Sequence, residues 1–292
     1  MDFKQEGKLY ICGTPIGNLE DITLRCLKTL RKVDLIAAED TRHTRKLLNR
    51  YSIHKSLTSY HEFSKEKKNQ YIVKYLKEGN DVALVSDAGM PGICDPGYEI
   101  INMAIRNSIE VIPIPGVSAL TAALVVSGFN MNNFIFEGFI PKKNTEKKQF
   151  FLKVKEERRT IIFYESPFRI KDTINMILNI IGDRKIVICR EITKQYEEIL
   201  RGFISEVIER INSRIIKGEL TIVLEGNQEK KNETGLFNTD LKILPEIKKK
   251  IINYSKKGYY NKDIVLLITS EYDVPKNWVY DNIIKLRDKE NK

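Results

Sequence analysis

The sequence predicts an α/β protein: two successive α/β domains followed by a small helical C-terminal domain. Three observations point there. The chain has 292 residues, 42% hydrophobic and 30% charged, so it can bury sizeable cores without disulfide or metal staples. Apolar, β-branched runs of strand length alternate with amphipathic runs of helix length as far as Gly226, the alternation of a wound sheet. From Leu241 onward the strand-like runs stop and only helical segments follow.

In order, the first half reads as the strand LYICG (9–13), a helix in DITLRCLKTLRKV (21–33), the strand DLIAAE (34–39) and a helix over Thr41–Leu48. A helix over Lys65–Lys77 leads to the strand VALVS (82–86), a Gly/Pro loop, a helix over Tyr98–Arg106 and the strand IEVIPI (109–114). The second half repeats the style with FIFEGF (134–139), a basic helix over Thr145–Glu157, TIIFYES (160–166), a helix over Pro167–Ile180, KIVICRE (185–191) and LTIVLEG (220–226). The boundaries expected are residues 1–115 and 116–228 for the two α/β domains, a polar linker over 229–240, and a helical tail over 241–292. Within that tail, Tyr259–Glu271, then VPKNW, then a helix from Asn277 has the outline of a helix-turn-helix.

Forty-nine Lys and Arg face 39 Asp and Glu, a formal charge of +10, which favours a polyanion or acidic surface as partner. The four cysteines form no CxxC, and His43, His54 and His61 lack ligand spacing with them, so neither a metal site nor a disulfide framework is expected. The stretch Val111–Phe136 carries no charge. Its prolines and glycines argue for a buried turn, helix and strand rather than a membrane span. MDFKQEGKLY has no export-signal pattern, so a reduced, cytoplasmic location is expected.

Ligands of wound sheets bind outside the carboxyl ends of strands, so the loops after Ile11, Val85 and Ile114 should face one crevice. GTPIGN (13–18) has a turn glycine but neither GxGxxG nor a P-loop Gly-Lys-Ser/Thr. SDAGMPGICDPG (86–97) crowds three glycines, two prolines and two carboxylates after a buried strand. Asp87 there can accept from a ribose or amine, Ala88–Met90 leave room for an adenosine-sized group, and Asp95 with Pro96 reads as the cap of the next helix. PIPGVSALTAAL (113–124) offers free backbone N–H groups near Val117–Ala119. AEDTRHT (38–44) suits acid/base or phosphate chemistry, or a cap at Asp40 or Thr41. In YESPFR (164–169) and REITKQYEE (190–198), charge at strand ends implies pairing or a ligand, with Arg190 and Glu191 expected to pair with each other. Residues 142–159 hold eight Lys/Arg against three Glu, a solvated face or a polyanion channel.

Taken together and in register, GTPIGNLEDIT, AEDTRHT, LVSDAGMPGICDPG, PGVSALTAAL, GFIPKK, FYESPFR and REITK resemble the tetrapyrrole methylase family, in its branch that modifies ribosomal RNA. The resemblance covers about residues 8–226, and the tail is similar to that branch's C-terminal domain. It implies a class III methyltransferase fold with S-adenosylmethionine between the two α/β domains, no metal, and a homodimer. The reaction it implies is 2′-O-methylation of a cytidine ribose in the decoding region of 16S ribosomal RNA, on naked RNA or the small ribosomal subunit.

Carried over by motif, the cofactor contacts are Ile16, Asp87, Ala88, Gly89, Met90, Ser118, Ala119 and Tyr164; the family usually has Thr where Met90 stands. The reaction needs a base or a cation near the ribose hydroxyl: Asp40, His43 and Glu165 are candidates for the first, Arg42 and Lys194 for holding phosphate or oxyanion. Two rivals remain: a methylase of a corrin or porphyrinogen, and a non-catalytic nucleic-acid-binding protein that senses a metabolite.

Overall fold

The computed structural model describes residues 6–61, 65–228, 244–272, 274 and 276–290. Strands β1 (Leu9–Cys12), β2 (Leu35–Ala38), β3 (Ser56–Ser59), β4 (Val82–Val85) and β5 (Val111–Ile114) form a parallel sheet of order β3-β2-β4-β1-β5. All residues of β1, β2 and β4 are buried, which is why they read as continuous apolar runs and not as alternation. Between the strands run α1 (Leu24–Lys32), α2 (Thr41–Arg50), α3 (Lys65–Lys77) and α4 (Tyr98–Arg106). One face of the sheet packs Leu9, Leu35 and Leu84 with Ile72, Leu76 and Ile100. The other packs Cys12, Ile36 and Val85 with Leu27, Leu30 and Leu48.

The second sheet holds β6 (Phe134–Phe139), β7 (Thr160–Glu165), β8 (Lys185–Arg190), β9 (Glu198–Phe203) and β10 (Leu220–Leu224) in the order β6-β7-β10-β8-β9. Only β6 and β7 pair parallel; β10 runs antiparallel to both β7 and β8, and β9 antiparallel to β8. Alternate residues of β7 serve two cores. Ile161 and Phe163 meet α6 (Asn144–Val154), α7 (Ile170–Ile181) and α8 (Ile204–Asn212), while Ile162 meets Leu120 and Leu124 of α5 (Ala119–Ser127).

Several expectations are corrected here. The second half is not wound like the first, because β8 returns through a short turn with positive φ at Glu191 and Thr193, and a turn of that length joins antiparallel neighbours. Strands β3 and β9 and helix α8 went unread: SLTS is a polar edge strand with no apolar run to mark it. Helix α7 starts at Ile170, the preceding residues forming a turn, and α4 is capped by Gly97 at φ 157 with no side-chain bond, so Asp95 is not its cap. The uncharged stretch after Val111 is β5, α5 and the start of β6; among the described residues no helix is long and apolar enough to cross a membrane.

Both sheets belong to one compact unit that ends at Asn227, and a second unit follows. The linker expected over 229–240 lies outside the described residues. In the second unit α9 (Leu244–Lys256), α10 (Asn261–Glu271) and α11 (Lys276–Glu290) pack around Ile247, Ile251, Ile264, Ile268, Val279 and Ile283.

Candidate functional site

The loops after β1, β4 and β5 meet because their glycines let backbone touch backbone. A Cβ on Gly13 would stand 2.7 Å from Gly116 Cα, and one on Gly116 would stand 2.8 Å from Gly13 Cα. The Thr14 N–H donates to Gly89 O (2.9 Å), the Gly89 N–H donates back to Thr14 O (3.0 Å), and the Thr14 hydroxyl donates to Ser86 O (3.1 Å). Gly89 holds φ +77 to make that return, a conformation other residues adopt at a cost.

Behind this clasp lies a cavity of about 330 Å³, walled on the second-sheet side by Tyr164, Glu165, Cys189 and Thr221, inside the size range of small-molecule sites. Of the eight cofactor candidates, Ile16, Ala88, Gly89, Met90, Ser118, Ala119 and Tyr164 line it. Asp87 does not. Its carboxylate accepts from the Asp40 N–H (3.1 Å) and its own N–H donates to Glu39 (3.3 Å), so it ties the β4 loop to the start of α2.

Among the five catalytic candidates only Glu165 lines the cavity. Asp40 is the cap of α2; the Arg42 N–H donates to its Oδ1 (2.7 Å) and holds the carboxyl below its usual range, which weakens it as a base. Arg42 and His43 are exposed on the first turn of α2. Lys194 donates to Glu191 (2.9 Å) and to Glu219 (3.1 Å), the latter a lining residue, so it reaches the cavity only through that carboxylate. Arg190 pairs with Glu198 (3.0 Å) and not with Glu191.

Glu165 is buried with both oxygens engaged. Oε1 accepts from the Ser166 N–H (2.6 Å) and pairs with Arg169 (2.5 Å), while Oε2 accepts from the Thr173 hydroxyl (2.7 Å). That hydroxyl in turn accepts from Lys147 Nζ (3.0 Å). Lys147 is 2% exposed, so this α6 residue, expected on a basic face, is part of the internal chain, while Lys148 and Lys153 of the same helix are exposed.

Sequence reasoning missed Cys94, Asp95, Phe139, Cys189, Glu219 and Thr221 as lining residues. Asp95 had a signal, a carboxylate in a glycine-crowded loop, but the following Pro-Gly made a cap the simpler reading. Burial, reinforced by the charge of Glu39, pushes its carboxyl up to about 6 against a hydrogen bond with Ser86; Asp87 and Glu219 push the same way. Burial also lifts the Tyr164 hydroxyl to about 12, though it shares a hydrogen bond with Ser118, so it stays neutral. Tyr164 stands edge-on to Phe136 (5.0 Å) and Phe139 (5.4 Å). Of the three lining carboxylates, Glu165 is paired with Arg169 and Glu219 with Lys194, so Asp95 is the one that suits a ligand bringing positive charge.

Two α/β sheets around a glycine-clasped cavity put the candidate ligand site outside the carboxyl ends of the first sheet's strands, where α/β proteins that bind small molecules hold them. The sequence profile of the Tetrapyrrole (Corrin/Porphyrin) Methylases matches residues 8–208, and the chain belongs to that family of methyltransferases.

Among curated relatives, the protein named ribosomal RNA small subunit methyltransferase I of Halalkalibacterium halodurans is 44% identical over 94% of each chain. Its namesake in Thermotoga maritima is 52% identical over 76% of this chain and 100% of its own. Among solved structures, cobalt precorrin-4 methyltransferase aligns with a TM-score of 0.58 at 20% identity over 75% of this chain and 94% of that one. Diphthine synthase aligns with a TM-score of 0.58 at 15% identity over 75% and 90%. At such identities the structural likeness speaks for the fold.

Proposed function

We propose that this chain transfers a methyl group from S-adenosylmethionine to the 2′-hydroxyl of a cytidine in the decoding region of 16S ribosomal RNA, in the cytoplasm and as a homodimer. In this reading residues 1–115 and 116–228 act as the two domains that flank the cofactor. The observation that carries it is the 44% identity over 94% of both chains with a protein named for methylation of small-subunit ribosomal RNA.

The cavity fits the cofactor on its own terms. Ile16, Met90 and Ile93 offer apolar wall to an adenine, the Gly13–Gly116 contact, which any Cβ would break, brings together the loops that carry Ile16 and Ser118, and Asp95 suits a sulfonium. The cofactor supplies an electrophilic methyl group. This chain's residues bind and orient. Ala88–Met90, Ser118 and Ala119 present backbone, Tyr164 closes the wall as a neutral hydroxyl, and Asp95, ionised at neutral pH, compensates the positive charge. Holding the ribose oxygen in line with the methyl carbon accounts for much of the barrier that such a transfer must lose.

The test is transfer of labelled methyl from S-adenosylmethionine to small ribosomal subunits that lack the modification, with the product mapped. Label on the ribose of a decoding-region cytidine is expected. Cofactor binding without transfer to any ribosomal RNA would overturn the acceptor and turn the search to tetrapyrroles.

A further inference from the structure

The mouth of the cavity carries aromatic surface that the fold leaves largely in water. Phe168 is 93% exposed, although it directly follows Ser166 and Pro167, which line the cavity, and Phe139, itself a lining residue, is 58% exposed. Two exposed rings on segments that the protein has tied to each other are more informative than a single exposed phenylalanine would be. The turn is tied down on both sides. The Phe168 N–H donates to Ser166 Oγ (3.3 Å), and Arg169 donates to the carbonyls of Ile140 and Pro141 (3.3 Å each), binding the Phe168 turn to the end of the strand that carries Phe139. Immediately after that strand end come the exposed ammonium groups of Lys142 and Lys143, with Lys148 one turn into α6; Lys143 is engaged with Glu146 (3.2 Å).

Exposed rings next to lysines, beside a cavity where an acceptor atom must arrive, are the surface a single-stranded nucleic acid recognises: bases stack on the rings and phosphates meet the cations. We propose that Phe168 and Phe139 form a stacking platform for a base of the acceptor RNA at the cavity mouth, and that Lys142 receives the adjoining phosphate. The proposal rests on the RNA reading above and assigns it residues. A second copy of this chain is the competing occupant. The row of lysines argues against it, since two copies would bring like charges together.

The experiment uses the full chain and small ribosomal subunits lacking the modification. Phe168→Ala should raise KM for subunits by about tenfold or more, with calorimetric affinity for S-adenosylmethionine and the sedimentation coefficient unchanged; Phe168→Trp should restore KM. Lys142→Glu should raise KM and flatten its salt dependence by about one phosphate's worth. An unaltered KM in Phe168→Ala overturns the platform while leaving the RNA reading intact. A shift of that variant to a slower-sedimenting species assigns the ring to self-association instead. Wild-type protein that binds the cofactor and methylates no subunit removes the RNA reading and the platform with it.

Discussion

Asp95 decides the charge of the cavity. Its carboxyl, raised to about 6 chiefly by burial, is neutral below that pH and negative above it, and a cationic ligand favours the negative form. Affinity for S-adenosylmethionine should therefore tighten as pH rises from 5 to 7, and Asp95→Asn should remove most of that dependence; calorimetry at three pH values would show it, and a flat wild-type profile would sink the assignment. For the empty protein the sign reverses. The folded state holds the proton more tightly than the unfolded chain, so this group's contribution to stability is lost as pH climbs from about 4 to about 6.

The buried chain from Lys147 through Thr173 to Glu165 makes a second residue-scale prediction. Thr173→Val strips the hydroxyl from both a buried ammonium and a buried carboxylate, and should cost about 2–4 kcal/mol in denaturant unfolding. Charge reversal at exposed Lys148 should stay within about 0.5 kcal/mol. Equal effects at the two sites would contradict the network.

At the scale of elements, the loops after β1 and β5 are useful because they touch. Gly13→Ala would set a Cβ against Gly116 backbone, which cannot swing aside as a side chain can. It should cost about 1–3 kcal/mol and weaken cofactor binding at least tenfold, whereas Gly128→Ala, which meets nothing within 4 Å but sits at φ +76, should cost only backbone strain and leave binding alone. Binding unchanged in Gly13→Ala would mean that the clasp does not shape the cavity. The sequence makes the central strands legible through apolar runs that follow from burial on both faces, and the edge strands β5 and β6 through apolar runs of their own. SLTS of β3 and EILRGF of β9 lie at sheet edges, where one side of the backbone is unpaired and composition is free to be polar. Their existence depends on a neighbour far along the chain.

At the scale of the whole molecule, the contacts divide after Asn227, and a relative whose entire length aligns with 76% of this chain shows that nature uses a shorter form. A chain ending at Asn227 should accordingly unfold cooperatively and bind S-adenosylmethionine as the full chain does. Loss of binding on truncation, with the fold retained by circular dichroism, would assign the helical unit a part in the cofactor site.

The sequence by itself determined the alternation of strands and helices, the central strands of both sheets, and the three glycine loops that line the cavity. These are local: period, turn chemistry and buried apolar runs are written within a few residues of where they act. Only the tertiary structure decided which charged groups face the cavity. Asp40, open to a base or a capping role, caps α2, Asp87 accepts a backbone N–H and Lys194 binds two glutamates, while Asp95, which the sequence offers as a helix cap, and Glu219, which it does not mark, line the cavity. A charge is assigned by what surrounds it in space, and partners such as Asp40 and Asp87, 47 residues apart, meet only after the sheet has formed.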